Sequence, residues 1–462
     1  MRLKTLLSFC ALAVCMASCN SSSNDDSIEP SEAQFPCNDG LANDTYTCNN
    51  VDLFSIVTPA QLLVDQPVGR LFLNDLWGWT DPETNKEYAL VGVNDGVTFV
   101  DISNPNEPIV LGKLPQPATA SKVPAVTNGP TPLSPGCWFK PAGTIDNVST
   151  QQANANALGS TWRDLKVFNN HLFVVADGQR NHGMQVFDLT QLRNVENAPA
   201  TFSALTTYND LESAHNIAIN ETTGFAYVTG VRIGAECSNG GLHIIDINDP
   251  ANPVFAGCYN EPEALNTGVG FGYIHDTQCM IYNGPDTDYT GSEVCINASE
   301  EGFTITNLDD KSAPQTISLI ESGNTYAHQG WLTEDGRYYL LNDELDESRT
   351  QINTTTYIWN VEDLDNPVFV GSHRFPFEAI DHNLYVKDNL VYESNYTAGL
   401  RILDLSGVAN GTLNEAAFFD TFPLHNARGF LGTWSNYPFF ASGNIIVSDI
   451  EAGLFILRPT VQ

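Results

Sequence analysis

Four histidines sit in phrases that resemble one another: "SAHNIAIN" (His215), "YIHDTQC" (His275), "YAHQGWLT" (His328) and "IDHNLYV" (His382). Each stands just ahead of an apolar, alternating run that reads as a strand. Two earlier runs of the same type, "NDLWGW" and "WRDLKV", carry Asp75 and Asp164 at the position that aligns with the histidines. From Asp164 to His382 the aligned residues are 51 to 60 positions apart. Imidazoles and carboxylates gathered around one axis are ligands for a divalent transition metal such as zinc, copper or iron, whereas carboxylates and carbonyls alone would suit calcium. Buried histidines also have an ordinary use, as hydrogen-bond partners of turns and water in a wet channel. The remaining histidines, His171, His182, His243, His373 and His425, fall outside the recurring position and read as surface or packing residues.

A second polar set recurs in step with the first. The strands that follow the histidine runs end in "VNDG", "VADG", "LNDE" and "VSDI", which supply Asp95, Asp177, Asp343 and Asp449. Antiparallel neighbours begin and end at the same edge, so these carboxylates are expected at the mouth where the histidines lie.

The elements that must carry these residues are repeats. The phrases "VTFVDISNPNEPIVLGKL", "MQVFDLTQLRNVENAP", "LHIIDINDPANPVFAGC", "FTITNLDDKSAPQTISLI", "TYIWNVEDLDNPVFVGSH", "LRILDLSG" and "LFILRP" each read as a strand, an acidic or Asn-Pro turn, and a second strand. A further strand precedes each phrase, and the histidine-type run precedes that. Four strands per unit at roughly fifty residues is the period of a propeller blade. The reading is an all-β, single seven-bladed β-propeller with four-stranded blades. The seventh unit lacks a fourth strand, and "VDLFSIVTP" (Val51–Pro59) is expected to supply it, so that the ring closes without an exposed edge. The first strand of each blade lines the channel, which makes the histidines a ring.

The N-terminus combines Arg2 and Lys4 with the run "LLSFCALAVCMA" and a small-residue break at Cys19. This has the make-up of a secretory signal over residues 1–18. The "CMASC" run resembles a bacterial lipobox, which implies lipidation of Cys19 and an outer-membrane lipoprotein at the cell surface. Residues 19–35 are polar and acidic and read as a disordered tether. The propeller takes residues 36–462, with a Pro-, Thr- and Asn-rich insertion at about 115–160. Net charge is −35, from 55 acidic against 20 basic residues, so nucleic-acid phosphates are repelled. Beyond the N-terminal signal, no apolar run reaches membrane-spanning length, so membrane contact is expected through the lipid anchor only. In an oxidising compartment the cysteines suggest the local disulfides Cys37–Cys48, Cys237–Cys258 and Cys279–Cys295, with Cys137 left over.

The repeats resemble LVIVD repeats. The run from "PCNDGLANDTYTCNNVDL" through "TWRDLKVF", "AHNIAIN", "YNGPDTDYTG" and "SGNIIVSDIEAGLFIL" resembles the choice-of-anchor B group of secreted propeller proteins. The resemblance implies a surface-anchored propeller and no established reaction. The chain carries no G-x-S-x-G elbow, P-loop or H-E-x-x-H helix. The expected function is therefore binding or scaffolding by a monomer, with the His/Asp-lined mouth taking a protein, glycan, small-molecule or metal ligand. Two alternatives stand beside it. One is a copper- or zinc-type enzyme using the channel histidines. The other is a carbohydrate-binding protein using Trp77, Trp79, Trp162, Trp331 and Trp434, which otherwise read as interblade packing.

Overall fold

Seven inner strands define the architecture: Leu73–Thr80, Arg163–Phe168, Asn216–Asn220, Asp276–Ile281, Ala327–Leu332, Leu384–Lys387 and Thr433–Tyr437. Each packs against the next, and the seventh packs against the first, which closes the ring. The computed structural model describes residues 31–64, 72–122, 159–231, 237, 240–261, 272–323 and 326–461. Cys19, the signal segment, Cys137 and most of the insertion lie outside the described residues. Residues Ala33–Gln462 form one compact unit.

Each inner strand begins a four-stranded antiparallel meander, so the molecule is a seven-bladed propeller. The apolar core is split into seven layers, one between each neighbouring pair of blades. A blade is therefore covered on both faces, and this is why its second strand is buried and mostly apolar. Glu87–Val93 and Glu293–Ser299 are buried along their whole length. Third strands end in a side-chain cap. Asp101 Oδ1 accepts from the Ser103 amide (3.0 Å), Asp246 Oδ1 from Asn248 (3.0 Å) and Asp404 Oδ1 from Ser406 (2.6 Å). That local bond is the physical content of the recurring Asp or Asn before each turn.

Ring closure follows the sequence expectation. Val51–Val57 pairs antiparallel with Gly453–Pro459 and becomes the outer strand of blade 7. Just upstream, Tyr46–Asn49 adds to the outer edge of blade 6, pairing with Asn414–Phe419. The two pairings staple the N-terminal segment across two blades. Ala200–Thr201 extends blade 1 as a short parallel strand, an element that its sequence does not announce. Among the described residues the disulfides are Cys37–Cys48, Cys237–Cys258 and Cys279–Cys295, the last crossing the first two strands of blade 4.

Candidate metal centre at the channel mouth

Strand pairing brings His215, His275, His328 and His382 together at one end of the channel. Each comes from the start of the inner strand of blades 3, 4, 5 and 6. Their rings stand 4.4 Å (His215–His275), 3.9 Å (His275–His328) and 4.4 Å (His328–His382) apart between centroids. All four are between 2 % and 8 % exposed, so they sit in a desolvated arc.

The outward ring nitrogen of three of them is committed to a fixed acceptor. His275 Nδ1 donates to the His328 carbonyl (3.0 Å), His382 Nδ1 to the Trp434 carbonyl (2.6 Å) and His215 Nδ1 to Asp177 Oδ2 (3.0 Å). An imidazole that donates from Nδ1 keeps, in its neutral form, a lone pair on Nε2. Burial holds His328 well below the usual histidine range, and the neighbouring imidazoles add to the effect. Burial brings His382 down to about 3. Both are therefore neutral at pH 7, the protonation state of a metal ligand.

The carboxylate that faces them is Glu344, which follows directly on Asp343 in "LNDE". His328 Nε2 lies 3.7 Å from Glu344 Oε2, and His382 Nε2 lies 3.7 Å from Glu344 Oε1. Ligand atoms of these three residues all lie within 4.8 Å of one another. Tyr396 donates its hydroxyl to Glu344 Oε1 (2.7 Å), which fixes the carboxylate. Burial pushes Glu344 up to about 7, so near neutrality it stands between its two forms. Sequence reading passed over Glu344 because it lies one position beyond the recurring aspartate.

The recurring aspartates mostly serve elsewhere. Of the four, Asp177 accepts from the ring histidine His215. Asp95 pairs with Lys113 (2.5 Å), Asp343 accepts from the Tyr326 and Leu345 amides, and Asp449 accepts from Thr421 Oγ1 and the Glu451 and Ala452 amides.

Asp75 and Asp164 sit one residue off the histidine position. Asp164 pairs opposite Val175 as Asn216 pairs opposite Thr229 and Asp276 opposite Ala298, so Arg163 is the residue aligned with the histidines. Asp75, Asp164 and Asp276 share one local bond, each accepting from the amide of the following residue. The offset arises because register is set by cross-strand bonds, and an alignment of unlike residues cannot fix it to one position. The carboxylates turn to Lys166, whose Nζ lies 2.6 Å from Asp164 and 3.5 Å from Asp75. Burial would raise Asp164, but Lys166, the Asp75 side chain and the Ile217 amide together hold it low. Asp276 has no such ion pair, and burial together with Asp164 pushes it up to about 7. Arg163 is fully buried and bonded to the Val93 carbonyl and His182.

Of the tryptophans, Trp434 and Trp162 frame the histidine arc, with Trp434 4.8 Å from His382 between centroids. Trp77 and Trp331 pack instead on Tyr385 farther along the inner strands (5.8 Å and 5.0 Å). Trp79 stacks on Tyr88.

The LVIVD repeat family matches residues 85–114 and 213–261, the second, third and fourth strands of blade 1 and all of blade 3. This chain is a seven-bladed β-propeller that carries LVIVD repeats. A crystal structure of a protein from Lactobacillus plantarum is similar over 80 % of this chain and 87 % of that one, at 12 % identity and a TM-score of 0.49. No curated protein matches the sequence significantly. The matched repeat of blade 3 includes His215, so one LVIVD repeat supplies both a blade and a member of the arc.

Proposed function

We propose that this LVIVD propeller is an exported, surface-anchored binding protein whose channel mouth holds one divalent transition metal ion. His328 and His382 bind through Nε2 and Glu344 through a carboxylate oxygen, with His275 next to them in the arc. The observation that carries the reading is the mutual approach of these three ligand atoms within 4.8 Å, in a mouth where both histidines are held neutral. Two imidazoles and a carboxylate suit zinc or ferrous iron. The Tyr396 bond to Glu344 and the Nδ1 bond of His382 are the outer contacts that orient such ligands. Export is supported by the signal-like N-terminus and by three disulfides, which belong to an oxidising compartment.

Elemental analysis of protein refolded or purified without added metal, followed by zinc titration, tests the site. One ion per chain is expected, and His328→Ala or Glu344→Gln should weaken binding at least about tenfold. Wild-type protein that takes up no zinc or iron at micromolar concentrations would overturn the reading. Three ligands also leave a coordination position for a further molecule, so the metal-loaded protein is the form in which to screen for ligands and catalysis.

A further inference from the structure

Beside the histidine arc, the junction of blades 5 and 6 buries five carboxyl groups. Asp343, Asp346 and Glu347 come from blade 5, and Asp381 and Glu393 from blade 6; none is more than 2 % exposed. Asp346 and Glu347 open the short helix Asp346–Thr350, Asp381 immediately precedes His382, and Glu393 lies in the strand Leu390–Ser394.

Three of the five are served by donors. Asp343 accepts from the Tyr326 amide (2.9 Å), Asp346 Oδ2 from the Tyr357 hydroxyl (2.6 Å), and Glu393 from Thr356 Oγ1 (2.7 Å) and Asn395 Nδ2 (3.2 Å). The other two are poorly served. Both oxygens of Asp381 lack a donor, as do Asp346 Oδ1 and the amide oxygen of Asn395, and Glu347 meets only its own backbone amide and the neighbouring Asp346 carboxyl. Asp346, Glu347, Glu393 and Asp343 all lie close enough to repel the Asp381 carboxylate. Among the described residues, no ion pair joins Asp346, Glu347, Asp381 or Glu393 to a lysine or arginine. Arg401, the guanidinium that acts on Glu393, is engaged with Glu415 (3.2 Å).

A buried carboxylate short of donors and without a counter-ion costs several kcal/mol, and here two stand together. Unlike the mouth, this nest offers oxygen ligands only: acidic side chains with a neutral amide oxygen beside them. That donor set matches a hard divalent ion that takes six to eight oxygens in adaptable geometry. The geometry points to a calcium site between blades 5 and 6, with Glu347 and Asp381 as its principal ligands and Asp346 as a third. The nest's carboxyl oxygens are not gathered within 4.8 Å as those of His328, Glu344 and His382 are, so the proposed site requires Glu347 and Asp381 to move toward the ion. The ion would join a helix of one blade to the inner strand of the next, directly behind His382. It does not depend on the transition-metal reading of the mouth.

The test uses the full chain after treatment with chelator. Equilibrium dialysis against millimolar calcium with elemental analysis gives the stoichiometry, and thermal melts in calcium, magnesium or chelator give the linkage. The expectation is one calcium per chain and a melting temperature several degrees higher in calcium than in chelator, since an ion held only by the folded state stabilises it. The double variant Glu347→Gln/Asp381→Asn should lose both, whereas His328→Ala should keep both while losing zinc. Absence of calcium from the wild type overturns the proposal without recourse to any variant. So does calcium binding that the double variant retains, which would place the ion elsewhere, for instance at the surface trio Asp286, Asp363 and Asp365. A double variant more stable than the wild type, with no calcium response in either, would mean that the carboxyls are held as protonated acids.

Discussion

His382 donates from Nδ1 to the Trp434 carbonyl and packs 4.4 Å from His328, in a setting that stabilises its neutral form. Its pKa falls to about 3, below the roughly 6.5 of an unfolded histidine. Between those values the unfolded chain binds more protons at this position than the folded one, so the folded state loses stability as pH falls from about 6.5 toward 3. Carboxyls with raised values, such as Glu344 and Asp276, act in the opposite sense, so the overall profile mixes both. Subtracting a variant isolates the histidine. In metal-free protein, the stability of the wild type minus that of His382→Gln should be constant above pH 7 and decline steadily below 6.5. Urea unfolding at a series of pH values measures it, and a difference that does not change with pH would show that His382 is not buried in its neutral form.

At the level of elements, the recurring glycine in "VLG", "FAG" and "FVG" has a reason in packing. A Cβ on Gly257 would stand 1.8 Å from the Lys311 carbonyl of the next blade, and one on Gly112 would stand 2.1 Å from that of Ala200. The outer strand is bare at these points because the neighbouring blade's turn lies against it. Gly257→Ala should therefore destabilise by about 1–3 kcal/mol, the usual cost of overpacking. A denaturation midpoint unchanged from wild type would exclude that contact. The N-terminal strand carries a larger share. Phe54 and Val57 belong to the layer between blades 7 and 1, and Val51 and Leu53 to the layer between blades 6 and 7. Removing Val51–Val57 opens both layers and exposes the edge of Gly453–Pro459. The truncated chain should melt well below wild type and lose hydrogen-exchange protection first in blade 7. Equal melting curves would show that closure is not cooperative.

Across the whole molecule, the ring is what turns repeats into a site. No single blade has more than one histidine of the arc, and the mouth exists only once four blades are packed. The formal charge of −35 adds a broad electrostatic cost, and it makes the channel mouth a favourable place for cations. Placement of the molecule rests on residues beyond the propeller. If Cys19 carries lipid, Cys19→Ser should move the protein from the membrane fraction to the soluble or medium fraction. Fractionation with detection of the chain checks this, and a wild type already soluble would remove the anchor.

Period and turn chemistry determined the seven blades, their four strands and the closing strand, because each is written in local patterns: alternation, Asp or Asn caps, and a spacing of about fifty residues. The histidines were legible for the same reason, recurring once in each of four consecutive repeats. Three local disulfides followed from short separations. What only the tertiary structure decided was everything set by register or by contact between blades. The one-residue offset of Asp75 and Asp164 depends on cross-strand pairing, which places Arg163 rather than Asp164 in line with the histidines. Glu344 meets His328 and His382 only because the second strand of blade 5 ends beside the inner strand of blade 6. Apart from Asp343, the carboxyl nest joins residues that are unremarkable in sequence, and its unpaired oxygens arise from burial, a property that no residue possesses until its neighbours have packed around it.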